Sequence, residues 1–231
     1  MTDTKAGSNA KTYEFQNWIG RFDGPLGLLR GDLYLAAKRV FDVLIVLMTM
    51  PIFGPALLIV ALLIKLESPD GPVFFMQSRT GKGGQRFKMY KFRTMVPNAE
   101  EMKKELMHLN ELQWPDFKIT NDPRVTKTGK FLRKTSLDEL PQLLNVLNGD
   151  MSFVGPRPTS FSAETYDLWQ TERLDVVPGI TGLWQVYGRG STEFDDRLRY
   201  DIAYIEHRCF TLDLYIIWLT VVSVFQQRGV H

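Results

Sequence analysis

Two adjacent carboxylates, Asp138 and Glu139, are the side chains in this sequence whose types and spacing best suggest chemistry. Neighbouring side chains on a helix point about 100° apart, so the two carboxylates can serve different partners. One can act as a nucleophile toward a phosphoryl group. The other can hold Mg²⁺, which typically takes one or two carboxylates together with phosphate oxygens. The pair therefore suits a reaction at a phosphate.

A purely structural role for the same pair is also open. Ser136 and Glu139 have the spacing of a capping box, and acidic residues in a first helical turn stabilise the helix dipole without any catalytic role. Pro141 allows another register, in which it is the first helical residue and the two carboxylates lie on the preceding loop. The sequence does not choose between these registers.

A phosphate repels carboxylates, so a phosphate site beside them requires cations. The segment from Arg79 to Arg93 is basic and contains no acidic residue, and residues 86–92 alternate charged and apolar side chains, as a half-exposed strand does. This segment suits an anionic ligand such as a nucleotide diphosphate, or a solvated sheet face attracted to a membrane surface. Two more stretches add cations: the basic segment 118–134 and the turn at 155–158. The candidate phosphate- and nucleotide-binding residues are Lys91 and Arg93 in the first segment, Arg124 and Arg133 in the second, and Arg157 in the turn.

An uncharged apolar stretch, 43–64, is long enough to span a bilayer by count alone. Pro51, Gly54 and Pro55 interrupt it, and proline kinks or breaks a helix because it removes a backbone hydrogen bond. Each half, 43–50 and 56–64, would rise only about 12–14 Å, which is about half of a hydrocarbon core of ~30 Å. We therefore expect a helix–break–helix hairpin with Pro55 or Pro51 at the break.

The charges on either side of this stretch agree with a hairpin. Lys38 and Arg39 precede it and Lys65 follows it. Positive charge at both ends favours placing both ends on the cytoplasmic face. The sequence thus predicts a re-entrant hairpin that enters and leaves the same leaflet, with a kinked spanning helix and a buried core helix as alternatives.

The whole chain predicts an α/β fold, mostly helical with a small sheet, which the hairpin and surface helices seat on the membrane. We expect a polar leader over 1–37, the hairpin over 38–66 and a cytoplasmic catalytic domain over 67–231. The last helix would be ~21 Å long, which is too short to span, so it can lie on the membrane surface, in the core or in an oligomer interface. The expected strands are 73–77, 86–92 and 151–154, and the expected helices of this domain include 98–113, 194–208 and 212–225.

Composition excludes several other classes of protein. A net charge of +2 argues against a polybasic nucleic-acid binder, so no nucleic-acid partner is expected. The single cysteine, Cys209, excludes an internal disulfide framework and a CxxC metal site.

The string LRKTSLDELPQLLNVLNGDMSFVGPRP resembles the signature of the bacterial sugar transferase family, the monotopic polyprenol-phosphate phosphoglycosyl transferases. The match continues in order along the chain and covers roughly residues 36–228. Besides the proline-interrupted apolar segment, it includes KRVFD (38–42), KMYKFRTM (88–95), DPRVTKTGKFLR (122–133), PGITGLWQV (178–186) and RYD (199–201).

The resemblance implies an activity: transfer of a sugar-1-phosphate from a UDP-sugar to undecaprenyl phosphate, with release of UMP. This reaction would be the first membrane step of exopolysaccharide, capsule or O-antigen assembly, at the cytoplasmic face of the bacterial inner membrane. Asp138 would be the nucleophile that forms a covalent phospho-sugar intermediate, and Glu139 would be the ligand of Mg²⁺. Arg133 and Arg157 would contact phosphate, and Lys91 matches a lysine of the family.

The resemblance extends to further positions. Asp201 and Asp213 match two more carboxylates of the family, although each could instead be a structural helix residue. Pro55 matches the helix-breaking proline, but the family often has Ser-Pro where this chain has Gly54-Pro55. The chain resembles a small member of the family, and its long segment 98–121 resembles hexose-transferring members. A homodimer is one oligomeric state that the sequence leaves open.

Two other functions use the same residues. A Mg²⁺-dependent hydrolase would cleave nucleotide-sugar or lipid pyrophosphates without a lipid acceptor. A non-catalytic membrane scaffold would tolerate the replacement of Asp138 by Asn. The sequence does not reveal which sugar is transferred.

Overall fold

The computed structural model describes residues 15–111, 119–187 and 194–225. Residues 1–14 of the predicted leader and the end of the predicted 98–113 helix lie outside these ranges. The helices are α1 Gly31–Glu67, α2 Ala99–Glu105, α3 Lys127–Thr135, α4 Gln142–Asn148, α5 Leu183–Tyr187, α6 Phe194–His207 and α7 Phe210–Phe225. The strands are β1 Phe74–Thr80, β2 Arg86–Phe92, β3 Ser152–Val154 and β4 Gly179–Thr181.

The apolar segment forms one helix, α1, which includes both Pro51 and Pro55. The predicted division into helices 43–50 and 56–64 is therefore not confirmed. α1 is long and apolar enough to cross a membrane by length and composition. It stays helical past its prolines because both halves pack on the rest of the chain: Val46 lies in one apolar cluster and Val60 in another. Whether α1 is re-entrant in a bilayer stays a prediction.

Both ends of α1 contact helices that follow it in the chain. Near its beginning, Lys38 Nζ lies 2.6 Å from Asp213 Oδ2 on α7. At its end, the carboxylate of Glu67 accepts hydrogen bonds from the backbone N–H groups of Lys127 and Thr128, which begin α3. The opposite side of α1 is apolar and exposed, with side chains that include Leu44, Met48, Ile52, Leu58, Ile59 and Leu62.

The described part of the expected leader, residues 15–37, packs against the rest of the chain. Ile19 is fully buried and Phe22 nearly so, and both lie in the apolar cluster that contains Tyr204 and Leu212. α1 itself begins at Gly31 rather than near residue 38. Residues 15–37 therefore belong to the folded core and to α1, since their aromatic and aliphatic side chains contribute buried surface.

The small sheet consists of two separate two-stranded pairs. β1 and β2 form an antiparallel hairpin, in which Phe75 lies opposite Lys91. β3 and β4 pair in parallel. The predicted strand 86–92 is confirmed, whereas β1 extends three residues beyond the predicted 73–77. In the β3–β4 pair, Ser152 lies opposite Gly179 and Val154 opposite Thr181.

The predicted helix 98–113 is wrong in length. α2 ends at Glu105, and a 3₁₀ turn, Met107–Leu109, follows it. At Leu106 the backbone has φ −92° and ψ 3°, which lies outside the α-helical region and ends the helix. The last helix lies partly in the core: Leu212 and Ile216 are fully buried, whereas Trp218 is 57% exposed. The inner face of this helix therefore packs in the core, and its outer face is apolar and exposed.

Candidate active site

The carboxylate pair lies on a short 3₁₀ turn, Leu137–Glu139, between α3 and α4. Ser136 ends α3 in a left-handed conformation (φ 56°), and its N–H bonds to carbonyls of the last helical turn. Its side chain caps no helix, so the capping-box alternative is excluded. Pro141 stands at the N-cap of α4, which places the pair on the connection before the helix. Left-handed backbone at a non-glycine residue is costly, and such strain concentrates at functional sites.

Glu139 is engaged by two cations. Lys91 Nζ on β2 lies 2.9 Å from Glu139 Oε1, and the guanidinium of Arg157 donates to both carboxylate oxygens. Burial by itself would raise the pKa of Glu139, but the charges and hydrogen bonds of Arg157 and Lys91 prevail and hold it well below its ordinary value. Glu139 therefore stays ionised and joins the β-hairpin to the loop that carries Arg157.

Asp138 differs from its neighbour Glu139 in its partners. It is partly buried, and within the described ranges no side chain forms an ion pair with it. Burial raises the pKa of the Asp138 carboxyl above its ordinary value and Glu139 adds to the rise, while Lys91 and Arg133 oppose it. Asp138 is thus a carboxylate held near several cations but paired with none of them, which leaves its oxygens available to a ligand.

Arg157 is positioned by backbone contacts on both sides. The Gly155 N–H bonds to the Thr181 carbonyl at 2.9 Å, and Arg173 Nη2 donates to the Arg157 carbonyl at 2.6 Å. A Cβ at Gly155 would lie 2.6 Å from the Val177 carbonyl oxygen, so only glycine permits this approach. The Gly155-Pro156-Arg157 turn is therefore locked against β4 with its guanidinium on Glu139.

The pair opens into a cleft of about 820 Å³, within the size range of small-molecule sites. Arg133, in the last turn of α3, lines it, and Arg133 Nε donates to Thr94 Oγ1 at 3.0 Å. Arg93 also lines the cleft, although it is only 7% exposed and its Nη2 donates to the Ser68 carbonyl at 2.6 Å. The other lining residues include Phe74, Phe75, Trp184 and Gln185.

The structure therefore brings six of the predicted site residues to one cleft: Asp138, Glu139, Lys91, Arg93, Arg133 and Arg157. Three others lie elsewhere. Arg124 is 3% exposed and pairs with Asp122, whose Oδ2 lies 2.7 Å from Arg124 Nη2. Asp213, on α7, pairs with Lys38 of α1, and Asp201 lies beside Arg173 in a neighbouring cavity.

Two groups of site residues were missed from sequence. Trp184 and Gln185 line the cleft, and their only signal was their place in the PGITGLWQV motif. Arg173 supports Arg157 from a 3₁₀ segment, Leu168–Asp175, in which nothing suggested a site. Periodicity does not reveal such contacts, because they join residues far apart in the chain.

The long apolar helix, the strained turn and the cation-rich cleft define a class of protein: a membrane-associated α/β protein built around a carboxylate pair. The family model described as "Bacterial sugar transferase" matches residues 33–227. The chain belongs to the bacterial sugar transferase family.

Individual relatives agree with this assignment. The chain is 42% identical to the "Undecaprenyl-phosphate galactose phosphotransferase" of Salmonella typhimurium, over 84% of this chain and 41% of the relative. It is 41% identical to the "Exopolysaccharide production protein ExoY" of Rhizobium meliloti, over 84% of this chain and 87% of the relative. It is 40% identical to the "UDP-glucose:undecaprenyl-phosphate glucose-1-phosphate transferase" of Xanthomonas campestris pv. campestris, over 89% of this chain and 42% of the relative. The chain thus spans less than half of two of these relatives.

Proposed function

We propose that this protein transfers a hexose-1-phosphate from a UDP-sugar to undecaprenyl phosphate and releases UMP. Two of the relatives carry names that state a phosphosugar transfer to undecaprenyl phosphate, and a third is named for exopolysaccharide production. The observation that carries the proposal for this chain is the contrast within the carboxylate pair. Asp138 lies in a cationic cleft without an ion-pair partner among the described residues, while its neighbour Glu139 is held by Lys91 and Arg157.

The reaction runs in two displacements. An oxygen of Asp138 attacks the sugar-bearing phosphorus of the donor, the P–O bond to UMP breaks, and UMP leaves with the bonding electrons. A phosphate oxygen of the lipid then attacks the same phosphorus, the bond to Asp138 breaks, and the free carboxylate returns. Such covalent catalysis replaces one difficult step with two easier ones.

The cations around the pair make the first attack feasible. A carboxylate and a diphosphate repel each other, and Lys91, Arg133 and Arg157 line the cleft where both must meet. Arginine offers a planar fork that matches phosphate oxygens, and Lys91 acts as a point charge. Fixed cations of this kind stabilise charge that develops in a transition state without reorganising.

Mg²⁺ fits this site as an ion that the protein and the phosphates of the substrate would bind together. Among the described residues, no group of three or more His, Cys, Asp or Glu side chains forms a metal site. Two adjacent carboxylates are nevertheless the protein ligands that Mg²⁺ takes when phosphate oxygens and water complete its coordination. Glu139 would hold it, and the ion would neutralise charge on the phosphates. Since Lys91 and Arg157 already engage Glu139, the ion shares this carboxylate with them or displaces one.

The contacts at the ends of α1 support a re-entrant membrane topology. Lys38 and Glu67 both contact the domain that carries the cleft, which supports placing both ends of the helix on one side of the bilayer. The exposed apolar side of α1 would then lie in lipid, with the domain on the cytoplasmic face. Phe74 and Phe75, seven and eight residues after α1, line the cleft and are each 42% exposed. In this arrangement they would bring one rim of the cleft near the headgroups, where a lipid phosphate would reach Asp138.

The test is UMP release by the full chain in nanodiscs with Mg²⁺, undecaprenyl phosphate and a panel of UDP-sugars. We expect lipid-dependent turnover with a UDP-hexose, and mass spectrometry without lipid should find the phospho-sugar adduct on Asp138. Asp138→Asn should form neither product, and Asp175→Asn, at an exposed aspartate outside the cleft, should behave as wild type. Free sugar phosphate without lipid would establish a hydrolase instead. Full activity of Asp138→Asn would exclude the covalent mechanism.

A further inference from the structure

A second cavity of about 220 Å³ adjoins the active-site cleft. Arg157 and Trp184 line both spaces, so one ligand can extend from the cleft into this side pocket. The side pocket is smaller than sites that hold a complete small-molecule ligand, so it fits one part of a larger ligand. Its walls also include Arg79, Phe194 and Asp201.

The charge of the side pocket favours an anion at Arg79. Within the described ranges Arg79 has no carboxylate partner, and its Nε is buried without a hydrogen-bond acceptor. Burial and the nearby charge of Arg157 lower the pKa of Arg79 to about 10. The carboxylate of Asp201 does not relieve this excess, because Asp201 Oδ2 is engaged by Arg173 Nη2 at 2.8 Å. A partly buried guanidinium without a carboxylate partner costs stability unless a ligand supplies the anion.

The rest of the side pocket suits an aromatic ring that bears an N–H group. Trp184 and Phe194 line it, and the guanidinium of Arg197 lies 5.7 Å from the centroid of each ring. Asp201 is 1% exposed, and among the described residues no group donates a hydrogen bond to its Oδ1. A buried acceptor of this kind requires a donor, and the uracil base has one ring N–H together with a flat apolar face.

The position of the side pocket separates it from the lipid. Phe74 and Phe75 begin β1 close to the end of α1, whereas Arg79 lies five residues further along the strand, about 17 Å away at 3.4 Å per residue. One rim of the cleft therefore lies on the α1 side. On the other side, past Arg157, the cleft leads into the side pocket that contains Arg79. A soluble nucleotide and a lipid phosphate can thus approach Asp138 from opposite ends.

We propose that the side pocket receives the uridine monophosphate part of the donor, with its phosphate on Arg79 and Arg157 and its base beside Trp184 and Asp201. This inference rests on the proposed function and adds the place where the leaving nucleotide is held. The sugar-bearing phosphate then lies in the cleft at Asp138, on the other side of Arg157. After the first displacement, UMP remains in the side pocket and leaves without crossing the lipid rim.

The experiment measures equilibrium binding of UMP and of uridine to the full chain in nanodiscs, without lipid acceptor or turnover. Arg79→Gln should weaken UMP binding by about tenfold, since one charge-assisted hydrogen bond is lost, and should leave uridine binding unchanged. Arg79→Lys should restore part of the UMP affinity. Lys88→Gln, which removes an exposed cation from the neighbouring strand and from neither cavity, should bind UMP as wild type does. Thermal unfolding of each variant checks that it is folded.

Three results would overturn the inference. Wild type could fail to bind UMP, or folded Arg79→Gln could bind UMP with unchanged affinity. In steady-state assays, Arg79→Gln could raise the KM for undecaprenyl phosphate and leave the KM for the UDP-sugar unchanged, which would assign Arg79 to the lipid phosphate. Because binding is measured without turnover, a protein that binds UMP at Arg79 but transfers no sugar phosphate would contradict the proposed function alone.

Discussion

Two clusters of charged side chains differ in how many hydrogen-bond donors surround their carboxylate. Between α1 and α7, Asp213 is 2% exposed and accepts from Lys38 at 2.6 Å, from Tyr34 at 3.0 Å and from Tyr204 at 2.7 Å. In the cleft, Asp138 is partly exposed and no described side chain pairs with it. Asp213 has as many donors as a buried carboxylate needs, whereas Asp138 lies near cations that are engaged elsewhere.

The difference in hydrogen bonding indicates a structural role for Asp213 and a chemical role for Asp138. A carboxylate that is fully hydrogen-bonded joins elements and resists any change of partner. A carboxylate that is partly desolvated and unpaired lowers stability, and natural proteins keep such features at functional sites. We infer that the first cluster attaches α1 to the domain and that the second holds a nucleophile ready for an anionic substrate.

The largest expected effect is on activity at Asp138. Asp138→Asn should lower UMP release by at least about 10³-fold, because the variant lacks the nucleophile. Its thermal unfolding temperature should be unchanged or higher, since burial disfavours the charge that it removes. A variant that is inactive and also clearly less stable would break the comparison, because it would make Asp138 a structural residue.

The matching change at Asp213 should give the opposite result. Asp213→Asn leaves Lys38 without its counter-charge, so the free energy of unfolding should fall by about 3–5 kcal/mol. The KM for the UDP-sugar of the folded fraction should not change, since Asp213 does not line the cleft. Tyr34→Phe, which removes one of the donors, should cost only about 1 kcal/mol. Denaturant unfolding of both variants, with donor kinetics, checks the prediction.

The pH dependence of stability gives a further test, at the buried carboxylate Asp201. Burial raises the pKa of Asp201 to about 6, against opposing effects of Arg173 and Arg197. The folded state therefore binds a proton more tightly than the unfolded state, so stability should increase as the pH falls from 7 through 6 toward 4, by up to about 3 kcal/mol. Asp201→Asn should lack this component of the stability profile. Identical pH profiles for the variant and wild type would show that Asp201 is not a charged, desolvated group.

The smallest expected effect concerns the prolines of α1. Cys209 is buried, so cysteines introduced at Asp32 and at Asp70, beside the two ends of α1, are the sites for selective labelling. Both should react with an impermeant thiol reagent from the cytoplasmic side. Pro51→Ala with Pro55→Ala should leave this pattern unchanged, because the contacts of Lys38 and Glu67 hold both ends of the helix. Labelling of one site from each side would show that α1 spans the bilayer.

The elements close to the site were predictable where local pattern decides them. Residues 86–92 alternate charged and apolar side chains, and β2 occupies these residues. Other predictions failed where local signals compete with packing. The prolines of α1 predict a break, yet contacts along both of its halves preserve one helix. Ser136 has the spacing of a cap, yet its left-handed backbone ends α3 instead.

By itself, the sequence determined which chemistry is available: an adjacent carboxylate pair, an excess of cations and a long apolar segment. Only the tertiary structure decided which cations meet the pair, because these contacts join residues distant in the chain. Lys91 reaches Glu139 across 48 positions and Lys38 reaches Asp213 across 175. In the sequence Arg124 is a basic candidate like Lys91, but in the structure it pairs with Asp122, two residues away. Residue type sets the charge of a side chain, and packing sets its partner, its exposure and thus its role.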